Sequence, residues 1–187
     1  MNIILFGPPG AGKGTQAKYI EKRINGFQIS TGDMLRDEIK KDTVIGKKII
    51  DDMNHGKFVN DEIVNELIKN IITDPKKRNK LIFDGYPRSL SQAKNLDLLL
   101  KNSDQKLDFI FFLNVNKETI VKRIEKRKIE ENRSDDDLGT ILKRYDTYMK
   151  TTKPVLDFYS KKPNFIEIDG TLKIDEITKK IDTFLKV

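Results

Sequence analysis

Residues Gly7 to Lys13 (GPPGAGK) carry the spacing GxxxxGK of a phosphate-binding loop. The next position, where such loops usually hold Ser or Thr, is Gly14, and the hydroxyl comes one residue later at Thr15. Glycines let backbone N–H groups turn inward around phosphate oxygens, a following helix start adds partial positive charge, and Lys13 brings a point charge to the terminal phosphates. Phosphoryl transfer also needs a divalent metal and in-line positioning. With the usual hydroxyl ligand displaced, the metal must depend on nucleotide oxygens, waters and nearby carboxylates, of which Asp84 is the candidate.

The arginines point to a second phosphate. Only 8 of the 36 cationic residues are arginine, so each is informative. TGDMLR (31–36) and DGYPRS (84–89) place Arg36 and Arg88 just beyond expected strand or helix ends, as fork-shaped clamps that grip phosphate oxygens bidentately. Arg123, Arg127, Arg133 and Arg144 crowd into 123–144, with Arg123 and Arg127 one turn apart on one helix face. Converging arginines neutralise charge around a transferring phosphoryl group, which predicts two phosphorylated substrates meeting. A phosphate acceptor is already ionised and needs no general base. The single histidine, His55 in MNHGKF, accordingly reads as a turn or helix-end residue. Gln92 offers an amide with both a donor and an acceptor.

The elements that must position these groups follow from hydrophobic runs. NIILF (2–6), FQIS (27–30), LIFD (81–84), LDFIFFLNV (107–115) and NFIEID (164–169) read as strands separated by helical segments, which predicts a parallel sheet covered by helices. The first strand enters the glycine loop, and TQAKYIEKR behind it is helical. Residues 59–72 form a helical stripe that Asn60 or Asp61 can cap, and 135–159 a long helix interrupted at Pro154. Between the second and third strands, 30–60 reads as a helical insertion joined through Gly32, Gly46 and Gly56, and 128–137 as a short charged loop; both are candidate moving parts.

The 187 residues suit one domain. The absence of cysteine removes any thiolate-bound zinc, and no apolar stretch is long enough for a membrane span, so a cytoplasmic location is the default. The net charge of +7 would permit nucleic-acid binding, but no basic patch interleaved with aromatics supports it.

Taken together, GPPGAGKGT, STGDMLR, FDGYPRS followed by Gln92, and NRSDD with a downstream KRY resemble adenylate kinases over nearly the whole chain. The resemblance implies an α/β fold with a five-stranded parallel sheet of order 2-3-1-4-5, in one domain over 1–187 with a nucleoside-monophosphate-binding insert at 30–59 and a lid at 127–137. It implies Mg2+-dependent transfer from ATP to AMP. Gly10, Ala11, Gly12, Lys13, Gly14, Thr15, Arg123, Arg127 and Leu172 would serve ATP, with backbone contact to its adenine near Gly170 to Leu172. Thr31, Arg36, Lys57, Phe58, Val59, Gly85, Tyr86, Pro87, Arg88, Gln92, Arg133 and Arg144 would serve AMP. Lys13, Arg88, Arg123, Arg127, Arg133 and Arg144 would be catalytic, and Asp135 and Asp136 match the pair beside the lid arginine. Only KIEEN separates Arg127 from Arg133, which resembles the short-lid type without structural zinc. The family further suggests a monomer. The alternative is UMP/CMP kinase, against which Gln92 and Thr31 favour AMP.

Overall fold

Strands form where the apolar runs end in turns: β1 (Ile3–Phe6), β2 (Phe27–Ser30), β3 (Leu81–Asp84), β4 (Phe109–Asn114) and β5 (Phe165–Asp169). The structure, a computed structural model, describes residues 1–55, 57–131 and 138–185, with side chains other than those of 126–131 and 138. All neighbouring strands run parallel, in the order β2-β3-β1-β4-β5, as the resemblance implies. β1 sits at the centre, with Ile3 opposite Ile82 of β3 and Phe109 of β4. The chain builds β2 and β3 on one side of β1, then β4 and β5 on the other. Such a switch point opens a crevice at the carboxyl ends of the strands.

Alternation along the buried strands divides the core into two layers. Ile4, Phe6, Phe83 and Ile110 face one side, with helices α4 (Asp61–Ile72), α5 (Leu90–Asn102) and α8 (Lys153–Tyr159) supplying Ile68, Leu96 and Tyr159. Ile3, Leu5, Ile82, Phe111 and Leu113 face the other, with α1 (Lys13–Ile24), α6 (Lys117–Glu131), α7 (Leu138–Thr147) and α9 (Ile174–Asp182) supplying Ile20, Ile120, Ile141 and Ile181.

Short polar side chains set the helix starts. Ser30 caps α2 (Thr31–Lys40), Thr43 caps α3 (Val44–Asn54), Asn60 caps α4 and Ser89 caps α5, each accepting a backbone N–H of the first turn. Asn60, one of the two expected candidates, therefore performs the capping, and Asp61 is released for another contact.

Three details differ from the expectation. Gly32 and Gly46 lie inside α2 and α3 rather than at joints, and at Gly46 an added Cβ would fall 2.2 Å from the Glu38 carbonyl oxygen, so this glycine lets two helices touch. Residues 128–131 continue α6 rather than forming loop; 132–137 lie outside the described residues. The long helix is interrupted before Pro154, by a π-helical turn at Tyr148–Thr152, and Pro154 sits in the first turn of α8, where its missing N–H costs no hydrogen bond.

Candidate active site

The loop after β1 and the turn after β3 meet at the carboxyl end of the sheet. A narrow cleft of about 60 Å3 there is lined by Gly7, Pro9 and Lys13 of the glycine loop, Gly85, Pro87 and Arg88 of the β3 turn, and Phe58, Arg144, Tyr148 and Thr152. A wider groove of about 770 Å3 opens at the opposite, amino ends of the strands, around Met1, Asn79, Asp108 and Asn164. It has neither glycine loop nor arginine cluster, so the smaller cleft is where the chemistry belongs.

In the loop, Gly12 takes the left-handed conformation (φ 93°) and starts α1 without a side-chain cap. The first N–H groups of α1 are thus left to a ligand, at the positive end of the helix. Lys13 folds back, its Nζ donating to the carbonyls of Gly7 (2.8 Å) and Pro8 (3.0 Å). Gly14 is half-buried and Thr15 exposed at the same helix start. Arg123 reaches from α6 to donate to the carbonyls of Ala11 and Leu172, both at 3.3 Å, and so ties the loop to the segment following β5. Gly170 packs so close to Val115 that an added Cβ would lie 2.4 Å from its side chain.

On the other wall, Arg88 is held at several atoms. Its Nε donates to Gly85 O at 2.6 Å, its backbone N–H to Gln92 Oε1 at 2.7 Å, and its carbonyl accepts from the Thr152 hydroxyl at 3.1 Å. Its guanidinium lies 5.0 Å from the centre of the Phe58 ring, a cation–π contact. The two terminal nitrogens make no hydrogen bond to the described residues. Burial, then the neighbouring Arg144 and Arg36, lower the Arg88 pKa to about 10, against the opposing pull of Asp84. The side chain stays cationic at neutral pH, held among like charges in a way that favours an incoming anion.

Thr31 is buried and donates to the same Gly85 carbonyl at 2.8 Å. Arg36, on α2, bonds Asp33 at 2.6 Å. Val59 and Tyr86 are buried, and Lys57 is exposed. The Tyr86 hydroxyl donates to Asn65 at 2.7 Å, and burial pushes its pKa up to about 12. Gln92 is buried beneath the turn, its Nε2 donating to Asp61 at 2.6 Å while its Oε1 holds Arg88 N–H. Asp61 also accepts from Ser89 at 2.7 Å. The described side chains therefore bring together Lys13, Phe58, Gly85, Pro87, Arg88 and Arg144 on the cleft, with Thr31 beside Gly85, Gln92 beneath the turn and Arg123 on the far side of the loop. The Arg127 side chain and Arg133, Asp135 and Asp136 lie outside the described residues. His55 ends α3, its Nδ1 2.6 Å from the Asp51 carbonyl oxygen, as its turn context suggests.

Gly85 has φ 80°, and an added methyl would come 2.8 Å from Arg88 Nη2 and 3.2 Å from Thr31 Oγ1. Gly85→Ala is therefore expected to lose about 1–2 kcal/mol in urea denaturation and to raise the KM for the acceptor nucleotide by about tenfold or more. An unchanged acceptor KM would place this turn outside the acceptor site.

Asp84, at the end of β3, is 9% exposed and accepts from Gln28 Nε2 at 3.0 Å. A Cβ added at Gly14 would lie 3.5 Å from Asp84 Oδ2, so the carboxylate stands beside the position where other phosphate loops place their hydroxyl. Among the described residues no group of three or more His, Cys, Asp or Glu side chains gathers to hold a metal ion. This donor set, one carboxylate at the phosphate loop, suits a metal carried mainly by its nucleotide.

Sequence reasoning missed four supporting residues. Asp61 and Gln28 are joined to Gln92 and Asp84 only by long-range packing, which local patterns do not encode. Tyr148 and Thr152 were within reach, since they stand four and eight residues after Arg144, on the same helix face.

A parallel sheet with its switch point at a glycine loop, facing an arginine-held turn, defines a P-loop kinase of the nucleoside monophosphate type. The adenylate kinase family model matches residues 5–164. The chain is 49% identical to the adenylate kinase of Pelagibacter ubique and 37% identical to that of Mycoplasma capricolum, in both cases over the whole of each chain. It is 38% identical to the adenylate kinase of a Caulobacter species, over the whole chain and 99% of that relative. The chain belongs to the adenylate kinase family. Nothing in these comparisons favours the UMP/CMP kinase alternative.

Proposed function

We propose that the protein transfers the terminal phosphate of ATP to AMP, giving two ADP. An oxygen of the AMP phosphate attacks the γ-phosphorus of ATP, the bond from that phosphorus to the β-bridging oxygen breaks, and ADP leaves. The observation that carries this reading is the cleft shared by Lys13 on one wall and Arg88 with Arg144 on the other. No side-chain base is required, because the acceptor is ionised.

The loop from Gly10 to Thr15 and Arg123 would hold the ATP phosphates, with Leu172 near the adenine. Thr31, Arg36, Lys57 to Val59, Gly85 to Arg88 and Gln92 would hold AMP. Arg127, Arg133 and Arg144 would complete the closed centre, the first two from the lid at 127–137. The 30–59 insert and this lid would close over the substrates and exclude water, preventing wasteful hydrolysis. Mg2+ arriving with ATP would be held on the protein side by Asp84 through water, and would neutralise charge on the phosphates. No helix among the described residues is long and apolar enough to cross a membrane. Our reading places the protein in the cytoplasm as a monomer, without a zinc site, with nucleotides rather than nucleic acid as its ligands.

The test is an Mg2+-dependent assay of the purified protein with ATP against AMP, UMP, CMP and GMP. ADP should form fastest with AMP and stop on chelation of the metal. Brisk turnover of UMP with none of AMP would sink the assignment.

A further inference from the structure

The phenol of Tyr148 is 7% exposed, and its hydroxyl is the one buried side-chain oxygen or nitrogen without a hydrogen-bond partner among the described residues. Such groups are nearly always paired, because a buried hydroxyl deprived of water and partner is costly. Packing does not call for the oxygen, since the ring alone fills the core layer in which Tyr148 lies. The residue also lines the cleft, together with Lys13, Phe58, Arg88, Arg144 and Thr152. It opens the π-helical turn at Tyr148–Thr152, a distortion that proteins concentrate at functional positions.

The chemistry of the cleft narrows what the hydroxyl meets. A phosphate oxygen is an acceptor only, and the phenol is a donor that carries no charge. Arg88 already feels the like charge of Arg144 and Arg36. A further cation would add to that repulsion, whereas a neutral donor adds direction without charge. Burial, with Tyr145 contributing, moves the Tyr148 pKa well above the usual tyrosine range, so the proton stays on the oxygen at any working pH.

The geometry points to Tyr148 as a substrate-binding residue whose hydroxyl donates a hydrogen bond to a phosphate oxygen of the acceptor nucleotide. This rests on the reading of the cleft as the phosphotransfer site. The ordered turn would then hold two groups at once: Tyr148 on the substrate, and Thr152 on the carbonyl of Arg88.

Tyr148→Phe tests it, because the ring and its packing survive while the oxygen is lost. The expected result is a fall of about tenfold or more in kcat/KM for AMP, with a melting temperature equal to or above that of the native protein. Calorimetric affinity for AMP should weaken by about threefold or more, with ATP affinity unchanged. A variant with native kcat/KM and native AMP affinity would overturn the proposal, leaving the hydroxyl to a water. So would a loss of activity that follows a lowered melting temperature. A native protein that binds both nucleotides yet forms no ADP would instead overturn the kinase reading, and the AMP titrations of native and Tyr148→Phe protein would still decide the contact.

Discussion

Arg88→Lys should lower kcat/KM for AMP by about a hundredfold or more, while the melting temperature moves by only about two degrees. Lysine keeps the charge but not the planar fork, and it cannot reproduce the Nε bond to Gly85 that aims the terminal nitrogens into the cleft. The backbone contacts to Gln92 and Thr152 do not depend on the side chain and remain. Arg88→Met carries the idea further. In the native protein the Arg88 pKa falls from its ordinary 12.5 to about 10. Between those values the unfolded chain binds more protons than the native one, so stability rises with pH there, and below pH 10 the full penalty of the buried cation is present. A neutral side chain of similar length removes that penalty. Arg88→Met should therefore melt at a higher temperature than the native protein at pH 7 to 8, with no measurable phosphotransfer. A Met variant that is both inactive and destabilised would show that the cation stabilises the fold.

Lys13→Met is the second large effect, expected to cut kcat by about a hundredfold to a thousandfold. The lysine is the point charge of the loop, and its resting bonds to Gly7 and Pro8 hold it at the rim of the cleft that the transferring phosphoryl group must cross. Methionine preserves the length of the stem and removes the charge. Stability without nucleotide should fall by only about 1–3 kcal/mol, because the bonds lost run to the carbonyls of two buried residues of the loop itself, Gly7 and Pro8. The difference should appear when ATP is added. A ligand at a hundred times its Kd stabilises by about 2.7 kcal/mol, so a native protein that gains several degrees from ATP should be matched by a variant that gains markedly less. Thermal scans with and without ATP give this directly, and an undiminished shift together with kcat within about tenfold of native would remove Lys13 from the reaction.

Much of this architecture was legible in the residues. The runs FQIS and LIFD coincide with β2 and β3 to the residue, because each is a short run bounded by turn chemistry, LIFD fully buried and FQIS at the sheet edge with only Ile29 buried. The glycine loop was legible because its spacing is local: seven residues determine which N–H groups turn inward. Arg88 was legible for a different reason, the scarcity of arginine in a chain that otherwise uses lysine. What the sequence could not supply is orientation across long separations. Asp61 holds Gln92 from 31 residues away, and Gln28 holds Asp84 from 56. Neither pairing leaves a periodic trace, since each depends on how α4 and β2 pack against their neighbours. The place of the helix interruption was also hidden: Pro154 marks a break, but the π turn lies just before it, because proline is tolerated in the first turn of the helix that follows.

That π turn has a consequence for how the long helix is phased. Ile141, before it, packs in one core layer, while Val155, Leu156 and Tyr159, after it, pack in the other. The helix crosses from layer to layer at the turn, and the extra residue sets the rotation between its two halves. Rewinding the same five residues of 148–152 as ordinary α-helix would rotate one half against the other by roughly a quarter turn. Core packing of α8 and the direction of Arg144 could then no longer both be kept. The winding of the backbone between Arg144 and Tyr159 is thus as much a determinant of the cleft as any side chain in it.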